Sequence, residues 1–127
     1  MFEYISGMLT KVNPKYVVLD NAGIGYRIFV PNPYNYRVND YYTIWIHQAI
    51  REDSNELYGF LTYDEKDMFL KLISVTGIGP KSALPIMAAS SVSDIKEAIY
   101  SGNVSYMQKF PGIGPKAAQQ IILDLKG

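Results

Sequence analysis

The chain has 127 residues, with 12 basic and 12 acidic side chains, no cysteine and 48% hydrophobic residues. That length allows one domain or two small ones, and the composition is that of a folding chain, not a disordered one. Lack of cysteine excludes disulfides, cysteine zinc sites and thiol nucleophiles, and a formal net charge of zero offers no basic field to gather nucleic-acid phosphates.

The first 61 residues hold eight of the eleven tyrosines and many β-branched residues, interrupted by turn signals such as Asn13-Pro14, Asn21-Ala22-Gly23 and Asn39-Asp40. Such stretches predict strands over Phe2 to Val12, Tyr16 to Asn21, Gly25 to Val30, Tyr41 to Arg51 and Asn55 to Leu61. Five short strands predict a small antiparallel barrel, since closure hides edges that would otherwise pair with other chains. An SH3-like barrel is an alternative form of the same idea.

From Thr62 the pattern turns helical. Thr62 and Glu65 have capping-box spacing, and Met68, Phe69, Leu72 and Ile73 then recur on one face. A second helix is expected from Pro80, a third from about Ser93 to Tyr100 ending near Gly102, and a short fourth after Asn103. The last helix is expected from Pro115, with Ala118, Ile121, Ile122 and Leu125 inward. Two domains follow, a barrel over residues 1–62 and an all-α domain over residues 63–127. The longest charge-free stretch, the twelve residues Ser82 to Ser93, is too short to cross a bilayer. No signal peptide is visible in this sequence, and a cysteine-free chain suits the reducing cytoplasm.

The most specific feature is a duplication at offset 35, in which Gly77-Ile78-Gly79-Pro80-Lys81 recurs as Gly112-Ile113-Gly114-Pro115-Lys116. The match extends to Ala83 with Ala118 and Ile86 with Ile121, so the repeated unit is a turn and the helix that follows it. Glycine allows positive φ and close approach of another backbone. Proline at the first helical position gives up a donor that has no intrahelical partner. The amides of Gly77, Gly79 and Lys81, with those of Gly112, Gly114 and Lys116, then face outward at helix starts, where dipoles and hydrogen bonds suit an anion. One copy reads equally well as a tight turn with a solvated lysine; two copies with lysine in register favour phosphate binding. A Walker loop or dinucleotide fingerprint does not fit, because this Gly-x-Gly follows a helix and lacks the required spacing.

The paired Gly-Ile-Gly-Pro-Lys elements resemble tandem helix-hairpin-helix motifs, which hold DNA by its backbone. With the small barrel, Gly23-Ile24-Gly25-Tyr26, the tip Arg51-Glu52-Asp53, Leu57-Tyr58-Gly59-Phe60 and Asp124-Leu125-Lys126, the whole chain is similar to the RuvA family, the Holliday-junction-binding subunits of the bacterial branch-migration machine. The resemblance implies an all-β, five-stranded OB-type barrel followed by an all-α tandem helix-hairpin-helix domain. It implies a homotetramer, or two tetramers enclosing the junction, with phosphate contacts at Gly77, Gly79, Lys81, Gly112, Gly114 and Lys116. Glu52 and Asp53 match the family's acidic pin at the junction centre, with Arg51 beside it. On the residues alone, Glu-Asp-Ser is also ordinary turn composition.

The partners implied are four-way junction DNA, the motor ATPase RuvB and, by analogy, the resolvase RuvC. No catalytic residue, metal or cofactor is implied, the ATPase being a separate protein. Members of the family it resembles often carry a further basic residue in the last helix, where this chain has Gln119 and Gln120. They also continue through a linker to a motor-binding domain. The chain is therefore expected to be a shortened form that binds junctions but does not stimulate branch migration.

Competing functions have weaker support. His47, the only histidine, reads as a packed strand residue beside Trp45 and not as a general base. Asp64, Glu65 and Asp67 read as a first helical turn complementing the dipole, and Asp124 lies inside the last helix with no base-flipping pocket around it. Tyr34, Tyr36, Tyr41 and Tyr42 could stack single-stranded bases on the barrel, although only Arg37 lies near to attract phosphate. A scaffold with no nucleic-acid ligand is the reading that takes zero charge at face value.

Overall fold

A computed structural model describes residues 2–127, which form five strands, with a single 3-10 turn at Pro33–Asn35 before the fourth, followed by five α-helices. The chain divides into two compact units, one ending at Lys66 and the other beginning at Asp67.

In the first unit β1 (Tyr4–Val12), β2 (Tyr16–Asn21), β3 (Ile24–Phe29), β4 (Tyr41–Ile50) and β5 (Asn55–Phe60) close into a barrel of order β1-β2-β3-β5-β4. Strands β1, β2 and β3 run as an antiparallel meander, and β4 pairs antiparallel with both β1 and β5. A short parallel pairing of β3 with β5, Ile28 opposite Leu57 and Phe29 opposite Tyr58, closes the ring. This is the OB-type architecture and not the SH3-like alternative.

Alternation at period two sends Ile5, Leu9, Val17, Leu19, Ile28, Ile44 and Ile46 into the barrel, all of them buried. The interior is full. A Cβ on Gly59 would lie 2.5 Å from methyl groups of both Ile28 and Ile44. A bulge interrupts β1, because Leu9 faces Leu19 while Lys11, not Thr10, faces Val18. The extra residue reverses the side-chain alternation, so Lys11 points outward although it lies two positions after an inward leucine.

Helix α1 (Tyr63–Ile73) starts at the Thr62 cap, where the Glu65 amide donates to Thr62 Oγ1 at 3.2 Å. The Thr62 hydroxyl donates in turn to the Glu65 carboxylate at 2.9 Å, so the two capping side chains are joined directly. Lys66, the one buried charged residue among those described, pairs with Glu3 and ties this first turn to the barrel. Helices α2 (Pro80–Ala89), α3 (Val92–Tyr100), α4 (Val104–Gln108) and α5 (Pro115–Lys126) follow. Ser91 caps α3 by accepting from the Asp94 amide, and Asn103 caps α4 by accepting from the Tyr106 amide. Helix α5 packs on α3 and α4, with Ala118, Ile121 and Ile122 buried and Leu125 only half-buried.

Candidate nucleic-acid interface

The duplication seen in the sequence is a duplication in three dimensions. Helices α1 and α4 end 35 residues apart, at Ile73 and Gln108, and α2 and α5 begin 35 apart, at Pro80 and Pro115. Each turn opens with the same bond, the Ile78 amide to the Val75 carbonyl at 3.0 Å and the Ile113 amide to the Phe110 carbonyl at 3.1 Å. The anchors correspond as well: Val75 and Phe110, Ile78 and Ile113, Ala83 and Ala118, and Ile86 and Ile121 are all buried. Burying the central isoleucine of each turn fixes its conformation, and the flanking glycines are left at the surface.

The two glycines of each turn do different jobs. Gly77 and Gly112 have φ of +89° and +80°, the left-handed region that glycine enters without penalty. Gly79 and Gly114 are extended, at φ −102° and −84°, and stand as N-caps of α2 and α5 with no side chain to cap them. Proline follows at the first helical position in both.

The amides of Gly77, Gly79 and Lys81, and of Gly112, Gly114 and Lys116, make no hydrogen bond within the described residues. Around the Cβ positions of Gly77, Gly112 and Gly114 there is no protein atom within 4 Å. What the missing side chains leave open is therefore space outside the chain. Lys81 and Lys116 are exposed, in the first turn of their helices, and neither takes part in an ion pair among the described residues. Each hairpin thus offers unpaired donors, a helix N-terminus and a free cation, the set that suits an oxyanion.

Glu52 and Asp53 are exposed at the tip of the β4-β5 hairpin. The turn is pinched by the Arg51 amide donating to the Ser54 carbonyl at 2.7 Å, and Gln48 donates to Asn55 across the strands at 3.0 Å. Arg51 is exposed beside the two carboxylates. Gln119 is exposed on α5, and Gln120 donates to Asp124 at 2.7 Å, which occupies that carboxylate within its own helix.

The other candidates have structural employment. His47 is half-buried on β4, and burial together with the nearby Lys66 charge lowers its pKa. Asp67 pairs with Lys71 one turn on at 3.2 Å, and no cluster of three metal-ligating groups occurs among the described residues. Of the four tyrosines, Tyr36 is buried and packs on Tyr42 at 5.1 Å between ring centroids, and burial pushes its hydroxyl pKa well up. Tyr34 and Tyr41 alone of the four are exposed. No described helix is long and apolar enough to cross a membrane.

Residues 1–59 match the family model described as the RuvA N terminal domain, and residues 69–126 match that of the SAM-like helix-hairpin-helix tandem. Proteins named Holliday junction branch migration complex subunit RuvA from Lactobacillus gasseri, Staphylococcus saprophyticus and Streptococcus uberis are each 53% identical across the whole of this chain. The alignments cover 66%, 64% and 66% of those relatives, so the chain spans about two thirds of their length. A barrel with the RuvA N-terminal pattern followed by a helix-hairpin-helix tandem, at this identity from end to end, shows that the chain belongs to the RuvA family.

Proposed function

We propose that this chain binds four-way junction DNA without regard to sequence, as the DNA-holding and non-catalytic part of a branch-migration complex in recombination and repair. The observation that carries the reading is the pair of matching hairpins, each with unpaired amides, open space where a Cβ is missing and a free lysine. Such a site reads phosphate and is blind to bases. Gly77, Gly79 and Lys81 would take one stretch of backbone, and Gly112, Gly114 and Lys116 another.

Shape selectivity needs more than backbone contacts, because any duplex supplies those. The exposed Glu52 and Asp53 supply it by repulsion: in an assembly of four copies they place a ring of negative charge where four strands exchange. Arg51 beside them can hold a phosphate near the crossover. Four copies, or eight as two stacked fours, match the four arms of a junction. In the cytoplasm the partners are a RuvB motor and, by analogy, a RuvC resolvase.

Gel shifts with duplex, single-stranded and four-way junction DNA of matched length test this directly. Junction binding at least about tenfold tighter than binding to either competitor is expected. Tighter binding to single strands, or no binding to any of the three, overturns the reading.

A further inference from the structure

A second cationic and aromatic surface lies on the barrel itself. Cross-strand neighbours share a face, and the outward row across three strands is Lys11 on β1, Val18 on β2 and Arg27 on β3. Tyr16 and Phe29 form the adjacent outward pair on β2 and β3. The bulge in β1 is what turns Lys11 to this side.

The Arg27 guanidinium lies 4.6 Å from the Tyr16 ring centroid and the Lys11 ammonium 5.8 Å, so one tyrosine organises two cations. Phe29 meets Tyr16 edge to face at 5.9 Å. Lys15, exposed in the β1-β2 turn, adds a third positive charge. Three of the five basic residues in the first 61 positions therefore gather here, and a chain of zero net charge has concentrated them.

Arg27 and Phe29 also line a cleft of about 360 Å³ that continues past Phe2 to Gln48 and Asn55 at the root of the β4-β5 hairpin. A volume at the lower end of small-ligand sites suits a base and excludes a duplex. Glu56 also lines this cleft and accepts the Tyr58 hydroxyl at 2.7 Å, so its wall repels a phosphate and can accept from a base amino group. The polarity is thus arranged along the surface, with cations outside for backbone and rings, amides and one acceptor inside for a base.

We propose that the outer face of β2 and β3, from the β1-β2 turn to the root of the β4-β5 hairpin, is a binding track for single-stranded DNA. Phosphates lie on Lys11, Lys15 and Arg27, and an unstacked base enters the cleft against Phe29 and Phe2. OB-type barrels are built for this use, since the strand 2 and 3 face and the two flanking turns can bind an extended strand without competing with the ring closure. The track is independent of the hairpins and does not rest on their function.

The test is binding of a short fluorescent oligothymidylate by the unsubstituted chain and by two double variants. Arg27→Ala with Phe29→Leu should weaken oligothymidylate binding by about tenfold or more and leave duplex affinity unchanged. Lys81→Ala with Lys116→Ala should do the reverse. Photocrosslinking of an iododeoxyuridine oligonucleotide to the unsubstituted chain gives a readout that no folding defect can mimic, and adducts are expected on Phe2, Tyr16 or Phe29. Absence of oligothymidylate binding, adducts confined to the helical unit or to Tyr34 and Tyr41, or equal displacement by polyglutamate would each overturn the track. A barrel variant without effect on the oligothymidylate sinks this inference alone, whereas hairpin variants without effect on duplex or junction binding sink the hairpin function and leave the track standing.

Discussion

Gly112 and Gly114 stand two residues apart in one turn and should respond differently to the same substitution. At Gly112 the backbone is at φ +80°, so alanine there strains the turn and costs about 1–2 kcal/mol of stability. At Gly114 φ is −84° and no protein atom lies within 4 Å of the added methyl, so the fold should accept alanine with little change in melting temperature. The methyl would instead fill the space beside the free amides. Gly114→Ala is therefore expected to lower duplex affinity several-fold in a titration while unfolding as the parent does; unchanged affinity would show that no phosphate approaches this backbone. The sequence presents all four glycines as equivalent. Only the dihedrals separate the pair that bends the chain from the pair that uncovers a helix start.

At the scale of elements, the helical unit was the more legible half because its signals are local. Thr62 and Asn103 as N-caps and proline at the first helical position each act within one turn, and the structure has all of them, with the Glu65 carboxylate accepting from the Thr62 hydroxyl instead of from the backbone amide that a full capping box uses. Pro85 lacks the donor for a helical bond, yet α2 runs on to Ala89. Burial of Ala83, Ile86 and Met87 on that helix outweighs one missing bond. In the barrel, strand positions were legible to within a residue or two, but the bulge in β1 and the gathering of Lys11 and Arg27 around Tyr16 depend on pairing between distant segments and leave no local signal. The matched helix starts also give a quantitative expectation. Each lysine that neutralises one phosphate contributes about 0.9 to the slope of log affinity against log salt. Replacing Lys81 and Lys116 together by alanine should flatten that slope by about 1.8 and weaken binding to all sequences alike. An unchanged slope would mean that both lysines are solvated in the complex.

For the molecule as a whole, the balance of 12 basic and 12 acidic residues argues against a nucleic-acid partner. The distribution of charge resolves the difficulty. Partial positive charge on two helix N-termini enters no residue count, and the lysines that stand at those starts are free of ion pairs among the described residues. Part of the compensating acid, Glu52 and Asp53, is set apart at a hairpin tip and takes part in no ion pair among the described residues. Two like charges about 8 Å apart in water repel by only about 0.5 kcal/mol, so a single tip would discriminate little. In the proposed four-fold assembly the pairs would multiply, and each carboxylate would also face the phosphates that converge at the crossover. On that proposal the cost would fall on strands that try to close over the centre and not on arms held by the hairpins. Glu52→Gln with Asp53→Asn should therefore leave junction affinity intact or raise it, while the preference for junction over duplex relaxes in a competition gel shift. If junction affinity collapses in that variant, the two carboxylates are making attractive contacts, and selection of DNA shape by repulsion is wrong for this protein.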